Sequence, residues 1–489
     1  MGKEKIMKKS IAKNYIYNLI YQMLTILLPL VTTPYLSRVL GAENIGIYGY
    51  TISIVTYFIL FGTLGVSMYG QREIAYVQNN KKKQTDVFWE IIFIKLISYI
   101  FVIFLFYILF CINGDYAIFY RILIIELLAN LVDISWFFQG NEDFGKTVIR
   151  NMIVKITGLV LIFIFVKNQN DLWKYFLIYV LSDLLGNLSL WVYVPKYLEK
   201  RKRKTLSLKK HIKPIILLFL PQVSVQIYAV LDKTMLGLLT NSMSEVAYYD
   251  QAQKIIRALL LIVSAMGTVM CSRVANSYAE NKMDDVKKYL KQSIDMVWLI
   301  ATPFVFGVFA VASEIVPIYF GNGYDAVIPL MCATSLILIG IGLNNVTGVQ
   351  YLIQAGKQNI FTLSVTVGAV INVILNLVLI KLFGTIGAVY SSIISEFVIL
   401  AIQLFYTKEV ITIKDIISSS IKYLISGIVM FIVVILLGKI LTPCLISLCI
   451  KILIGALIYC SSLLVMKDKF TIDIINQILQ TLKWKKKEV

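Results

Sequence analysis

The sequence predicts an all-α, polytopic membrane protein. It expects about 14 transmembrane helices, set as two six-helix lobes related by a pseudo-twofold plus two C-terminal helices. Three observations lead there. The 489 residues are 58% hydrophobic and only 15% charged, where a soluble domain carries about a quarter charged residues, and the mean hydropathy is +0.78. The apolar residues gather in runs close to the roughly 20 residues a helix needs to cross hydrocarbon. A stretch near the start also recurs weakly in the middle of the chain, as it does in many transporters.

Taken in order on that ruler, the expected spans are approximately 14–36, 46–66, 88–111, 117–138, 148–166, 174–194, 213–239, 248–270, 292–312, 327–350, 360–380, 386–406, 421–438 and 445–465. The N-terminus is basic and then apolar from Tyr15 without a small-residue cleavage site, so it reads as the first span rather than a removed signal peptide. Lys3, Lys5, Lys8, Lys9, Lys13, Lys81–Lys83, the run 196–213, the loop 282–291 and the tail Lys483–Lys487 hold most of the basic residues outside spans. The loops 112–116, 240–247 and 313–326 hold none. That asymmetry places both termini in the cytoplasm.

The run Lys196–Lys213 divides the chain. It reads as a topology anchor and linker in preference to a specific anionic-lipid site. Residues 1–195 then form one six-helix lobe, 214–411 the second, and 412–489 two further helices with a basic tail. Pro29 answers Pro221, Arg38–Gly41 answers Lys233–Gly237, and Glu43–Tyr48 answers Ser244–Tyr249. The matching prolines are expected to kink the first helix of each lobe.

Charges inside spans are costly and usually functional. Arg38 and Lys233 stand at corresponding points of the repeat, while Lys254 and Arg257 share one face early in span eight. Two readings stand. The four snorkel to the interface, or they form a cationic patch for an anionic group such as a phosphate. Asp232 is a further candidate to neutralise Lys254 or Arg257. Span four carries Glu126, Asn130 and Asp133 on one face, with Lys95, Lys155 and Asp183 as partners in neighbouring spans. A paired polar seam is favoured over a proton or cation site. Asn344, Asn345, Gln350, Asn372 and Asn376 read as interhelical hydrogen-bonders, and Glu396, among Ser391, Ser392 and Ser395, is left open.

Several classes are excluded. The net charge of +19 lies in short loops, so nucleic acid is not the partner. Six scattered cysteines and one histidine, His211, in a basic loop suggest neither a zinc site nor a disulfide framework, and no cofactor is expected. There is no nucleotide-binding motif, so energy would come from a coupling ion (H+ or Na+), the membrane potential or use of the product.

Pro34–Gly41 with Gly46-Ile47-Tyr48, Trp136–Phe144 and Leu231–Gly237 together resemble the Wzx-type oligosaccharide flippases. These are polysaccharide biosynthesis proteins of the multidrug/oligosaccharidyl-lipid/polysaccharide exporter superfamily. The resemblance implies a non-enzymatic transporter of the bacterial cytoplasmic membrane. It would move undecaprenyl-pyrophosphate-linked oligosaccharide repeat units outward by alternating access, as a monomer among membrane lipids, with glycan polymerase and glycosyltransferase partners. A drug or cation exporter of the same fold is the first rival. A membrane glycan polymerase is the second, weakened by the small outer loop 313–326, which offers only Glu314 and Asp325.

Overall fold

The computed structural model describes the backbone of residues 2–199, 206–265 and 267–476. It describes the side chains of residues 28–199, 206–219, 222, 223, 226, 230–264, 267 and 270–476. The side chains of Pro221 and of the basic residues before position 14, linker positions 200–205 and the tail Lys483–Lys487 therefore lie outside the described residues. Among those described there is no strand. The helices are α1 (Gly2–Thr63), α2 (Val66–Val77), α3 (Lys81–Phe106), α4 (Ala117–Leu131), α5 (Ser135–Gly140), α6 (Phe144–Phe165), α7 (Leu172–Trp191), α8 (Lys209–Leu239), α9 (Met243–Ala265), α10 (Gly267–Ala279), α11 (Met283–Phe320), α12 (Val327–Ser335), α13 (Ile337–Asn344), α14 (Gln358–Phe383), α15 (Thr385–Thr407), α16 (Ile413–Ile440) and α17 (Leu445–Val465). Wide-turn π segments extend α3 over Tyr107–Cys111 and follow α13 over Asn345–Ile353.

Ten helical stretches among the described residues are long and apolar enough to cross a bilayer, and the first, Leu28–Val77, covers the first two expected spans. The expected fourth span falls short because α4 has 15 residues. The eighth is diluted by Asp250, Lys254 and Arg257. The chain is thus a multi-pass membrane protein.

The first corner is located, and two local expectations are corrected. Helix α1 passes through Pro29 and Pro34, and its non-helical residue is Gly41 at φ 77°, ψ 170°. A left-handed φ is where glycine outdoes every other residue, so the corner between the first two spans falls there. Span four is not one helix to residue 138. It ends at Leu131, and Asp133 sits in the break, its carboxylate accepting from the Ser135 amide at 2.9 Å and the Ser135 hydroxyl at 2.5 Å. Such local capping competes with the helical ladder, so Asp133 leaves the face shared by Glu126 and Asn130. Glu314, expected in an outer loop, is helical because α11 continues to Phe320.

The chain forms two compact units, residues 1–247 and 248–489. In the first, α2, α3, α5 and the start of α8 enclose a core of Tyr69, Phe88, Ile91, Trp136, Phe137, Phe138 and Ile215. The Trp136–Phe138 passage therefore marks packing. A Cβ on Gly70 would stand 2.5 Å from the Trp136 ring, so α2 and α5 meet only because that position is bare. The Leu231–Gly237 passage also packs, with Gly237 against the Tyr50 ring and Thr234 bonded to Ser53 at 2.8 Å and Tyr57 at 3.1 Å.

In the second unit α14 and α15 are neighbours, and α11 packs on α16 and α17. Lys451 of α17 is 1% exposed and reaches both oxygens of Glu314 on α11, at 2.6 and 2.7 Å. Gly438 of α16 lies beside the pair. A bidentate, charge-assisted contact in an apolar setting ties the last helix to the rest of the unit.

Candidate functional site

Within the first unit, α1, α2, α4 and α8 surround a cavity of about 590 Å³. Its polar lining is Thr56, Thr63, Ser67, Asn130, Gln222 and Gln226. Thr56 and Thr63 lie seven residues apart and Gln222 and Gln226 four apart, so each pair shares a helix face. The spacing was readable, but neutral residues scattered in apolar runs give a weaker signal than charges. The Gln222 amide nitrogen is buried and meets no acceptor among the described residues. A buried donor without a partner costs about 1–3 kcal/mol, so the cavity is built for polar or hydrated contents.

Beside it lies the polar seam. Asn130 donates to the Glu126 carboxylate at 2.8 Å and to the Glu126 carbonyl at 2.9 Å. The other Glu126 oxygen is buried with no donor among the described residues. Lys95, 2% exposed, donates to the backbone carbonyl of Asp133 at 2.8 Å. Arg150 bridges Asn187 at 2.5 Å and Ser135 at 2.7 Å, with the Asp133 carboxylate 4.0 Å away. Lys155 and Asp183 line a separate cavity of about 320 Å³ with Pro29, Tyr175 and Tyr179. Of the six residues assigned to the seam, Glu126 and Asn130 touch directly, Lys95 meets Asp133 through its backbone, and Lys155 and Asp183 share the second cavity.

The four candidate cations divide between the units, Arg38 and Lys233 in the first and Lys254 and Arg257 in the second. Arg38, Lys254 and Arg257 are exposed and Lys233 is half-buried. The Lys254 ammonium lies 2.8 Å from the Asp250 carboxylate, one turn earlier on its own helix. Asp232 is itself buried, at 8% exposure.

The setting of His211, and the Gln403 bonds beside the expected interhelical asparagine Asn344, escaped the sequence reading. His211 does not lie in a solvated loop. It is 1% exposed near the start of α8, with Nδ1 2.6 Å from the Tyr69 hydroxyl and Nε2 2.9 Å from the Glu90 carboxylate. Glu90, wholly buried, also accepts from the Lys210 ammonium at 2.8 Å and the Ser207 amide at 2.9 Å. In the second unit Asn344 donates to the Glu396 carboxylate at 2.8 Å, and Gln403 links Thr347 at 2.5 Å to Ser364 at 3.0 Å. Two buried asparagine atoms of this unit, Asn344 Oδ1 and Asn372 Nδ2, meet no partner among the described residues. Among those residues no group of three or more His, Cys, Asp or Glu could hold a metal ion.

Apolar helices enclosing amide- and carboxyl-lined cavities define the class, a helical membrane transporter fold. The chain belongs to the polysaccharide biosynthesis protein family, whose model matches residues 11–275. It is 26% identical over 408 residues to the "Putative O-antigen transporter" of Escherichia coli (strain K12), covering 82% of this chain and 98% of that one. It is 22% identical over 389 residues to the "Probable low-salt glycan biosynthesis flippase Agl15" of Haloferax volcanii, covering 78% and 80% respectively. Among solved structures, the lipid II flippase MurJ in an inward closed conformation superposes with a TM-score of 0.74 at 17% identity, over 94% of this chain and all of that one. An inward-facing multidrug resistance MATE transporter gives 0.61 at 14% identity, over 81% of this chain and 98% of that one. These likenesses establish the fold.

Proposed function

We propose that this protein carries polyprenyl-pyrophosphate-linked oligosaccharide repeat units from the inner to the outer leaflet of the bacterial cytoplasmic membrane, for assembly of surface polysaccharide. The observation that carries the reading is the likeness to the Escherichia coli O-antigen transporter over nearly all of that protein's length. The physical logic agrees with it. A glycolipid head is large, polar and doubly charged, and exposing it to hydrocarbon is prohibitive. A hydrated passage can take the head while the lipid tail stays in the bilayer. The protein acts as a transporter and not as an enzyme.

In this reading residues 1–195 and 214–411 are the two lobes of an alternating-access transporter, with both termini in the cytoplasm. Arg38, Lys233, Lys254 and Arg257 attract the pyrophosphate. The Glu126–Asn130 pair beside the larger cavity, and Glu396 with Asn344, are the carboxylates to test for coupling to H+ or Na+. Lys95, Asp133, Lys155 and Asp183 hold the first lobe together. Glycosyltransferases supply the cargo and a glycan polymerase consumes it.

Deletion of the gene tests this. The expected result is a lipid-linked oligosaccharide accumulating on the inner leaflet and loss of surface glycan. A deletion strain with intact surface glycan and new sensitivity to cationic drugs would overturn the reading in favour of an exporter.

A further inference from the structure

A further cavity takes no part in the proposed transport. It is a groove of about 900 Å³ between α6 and α7, all within the first unit. Ile149, Ile153 and Leu161 line it from α6, and Leu181, Leu185 and Val192 from α7. Only 6% of the most apolar window of α6 is fully buried, most of its residues are half-buried, and Ile149, Ile153, Ile156 and Val160 are exposed.

One end of the groove is basic. Lys146 lines it and bonds to the Asp143 carboxylate at 2.8 Å and the Tyr197 hydroxyl at 2.6 Å. Its ammonium also faces the rings of Tyr197 at 4.4 Å, Tyr193 at 5.0 Å and Phe138 at 5.4 Å. Arg150 lines the groove one turn further in, held by Asn187 and Ser135. Lys196 approaches the same Tyr193 ring at 5.9 Å. Lys146, Arg150 and Lys196 thus gather at one end of the groove, where Asp143, bonded to Lys146, is the lining carboxylate and Asp133 stands behind Arg150. Two of the cations are clamped in place before any ligand arrives, which lowers the entropy lost on binding.

We infer that the α6–α7 groove is a seat for one anionic glycerophospholipid, its phosphate at Lys146, Arg150 and Lys196 and an acyl chain along Ile149–Leu161. Length selects this occupant. Lys146 to Leu161 spans fifteen residues of helix, about 22 Å at 1.5 Å per residue. One leaflet with its head groups measures about 20–22 Å, half of the full bilayer. A polyprenyl chain several times longer than an acyl chain would overrun the groove. Basic pockets between transmembrane helices are a known means of holding anionic head groups. The site is independent of the cargo, so the inference stands or falls apart from the flippase reading.

The test uses full-length protein in detergent with phosphatidylglycerol carrying a diazirine in one acyl chain, and the phosphatidylcholine equivalent. After illumination the labelled peptides are mapped. The expected label lies on residues 149–161 and 181–192, stronger for phosphatidylglycerol. Lys146→Gln with Lys196→Gln lowers phosphatidylglycerol labelling about tenfold, Lys146→Arg preserves it, and Leu185→Trp removes labelling by both lipids. Equal labelling by the two lipids overturns the inference, as does a wild-type map that misses α6 and α7. Displacement by undecaprenyl phosphate but not by unlabelled phosphatidylglycerol also overturns it, since the occupant would then be the polyprenyl lipid.

Discussion

Replacing Lys451 with Met removes one half of the buried Lys451–Glu314 pair while keeping the side-chain volume. The ammonium is 1% exposed and donates to both Glu314 oxygens at 2.6 and 2.7 Å, whereas the Glu314 side chain keeps 15% of its surface in contact with solvent. Breaking a buried pair from one side costs about 3–5 kcal/mol, because the surviving charge stays desolvated. The residual exposure of Glu314 moves the expectation to the lower end, about 3 kcal/mol. For a cooperative unit of this size each kcal/mol shifts the melting temperature by about 2–4 °C, so the loss should be about 6–12 °C. The assay is thermal unfolding of the purified protein in detergent, followed by a thiol-reactive dye that reports the buried Cys111 and the partly buried Cys271 and Cys332. Glu314→Leu alone should cost more, towards about 5 kcal/mol, because the surviving Lys451 is 1% exposed. The double variant Lys451→Met/Glu314→Leu should melt within a few degrees of wild type, since replacing both charges removes the penalty. If the double variant loses the sum of the single losses, the two side chains are not coupled and α17 is held by packing alone.

Gln at Arg38, Lys233, Lys254 and Arg257 together should lower surface glycan at least tenfold at equal membrane abundance, measured by glycan-specific blotting; an unchanged level refutes the patch. Glu126→Gln should abolish the dependence of flipping on an imposed ion gradient if that carboxylate couples transport; a lowered melting temperature with the gradient dependence intact would mark it as part of the seam. Gly237→Val should cost about 1–3 kcal/mol through overpacking, because a Cβ there would stand 2.2 Å from the Tyr50 ring. Its melting temperature should partly recover in the Gly237→Val/Tyr50→Leu double variant, and no recovery would place the strain elsewhere.

The membrane class, the helix order and most span positions were legible because hydropathy acts over some 20 consecutive residues. The corner at Gly41 lay in a visible gap between two apolar runs, but its cause was hidden while Pro29 drew attention upstream. The break after Leu131 was invisible, since Val132-Asp133-Ile134 holds neither proline nor glycine. The bonds from Ser135 to Asp133, from Lys95 to the Asp133 carbonyl and from Trp191 to the Val132 carbonyl hold the break there. The partners of charges were the least legible. Lys451 finds Glu314 at 137 residues' remove, and His211 finds Glu90 at 121. No local pattern encodes such meetings. Glu126 shows the reverse case, singled out on span four and bonded to Asn130, yet bonded to none of the lysines proposed for it among the described residues.

The most direct measurement of the central claim is flipping in proteoliposomes. The purified protein would be reconstituted with a fluorescent polyprenyl-pyrophosphate oligosaccharide, and access of a membrane-impermeant quencher to the outer leaflet followed over time. The account expects quenching beyond the outer-leaflet half, and a rate that falls at least tenfold when the four cations are replaced by Gln. Quenching that stops at half in wild-type vesicles, with the protein shown to be folded and inserted, would contradict it.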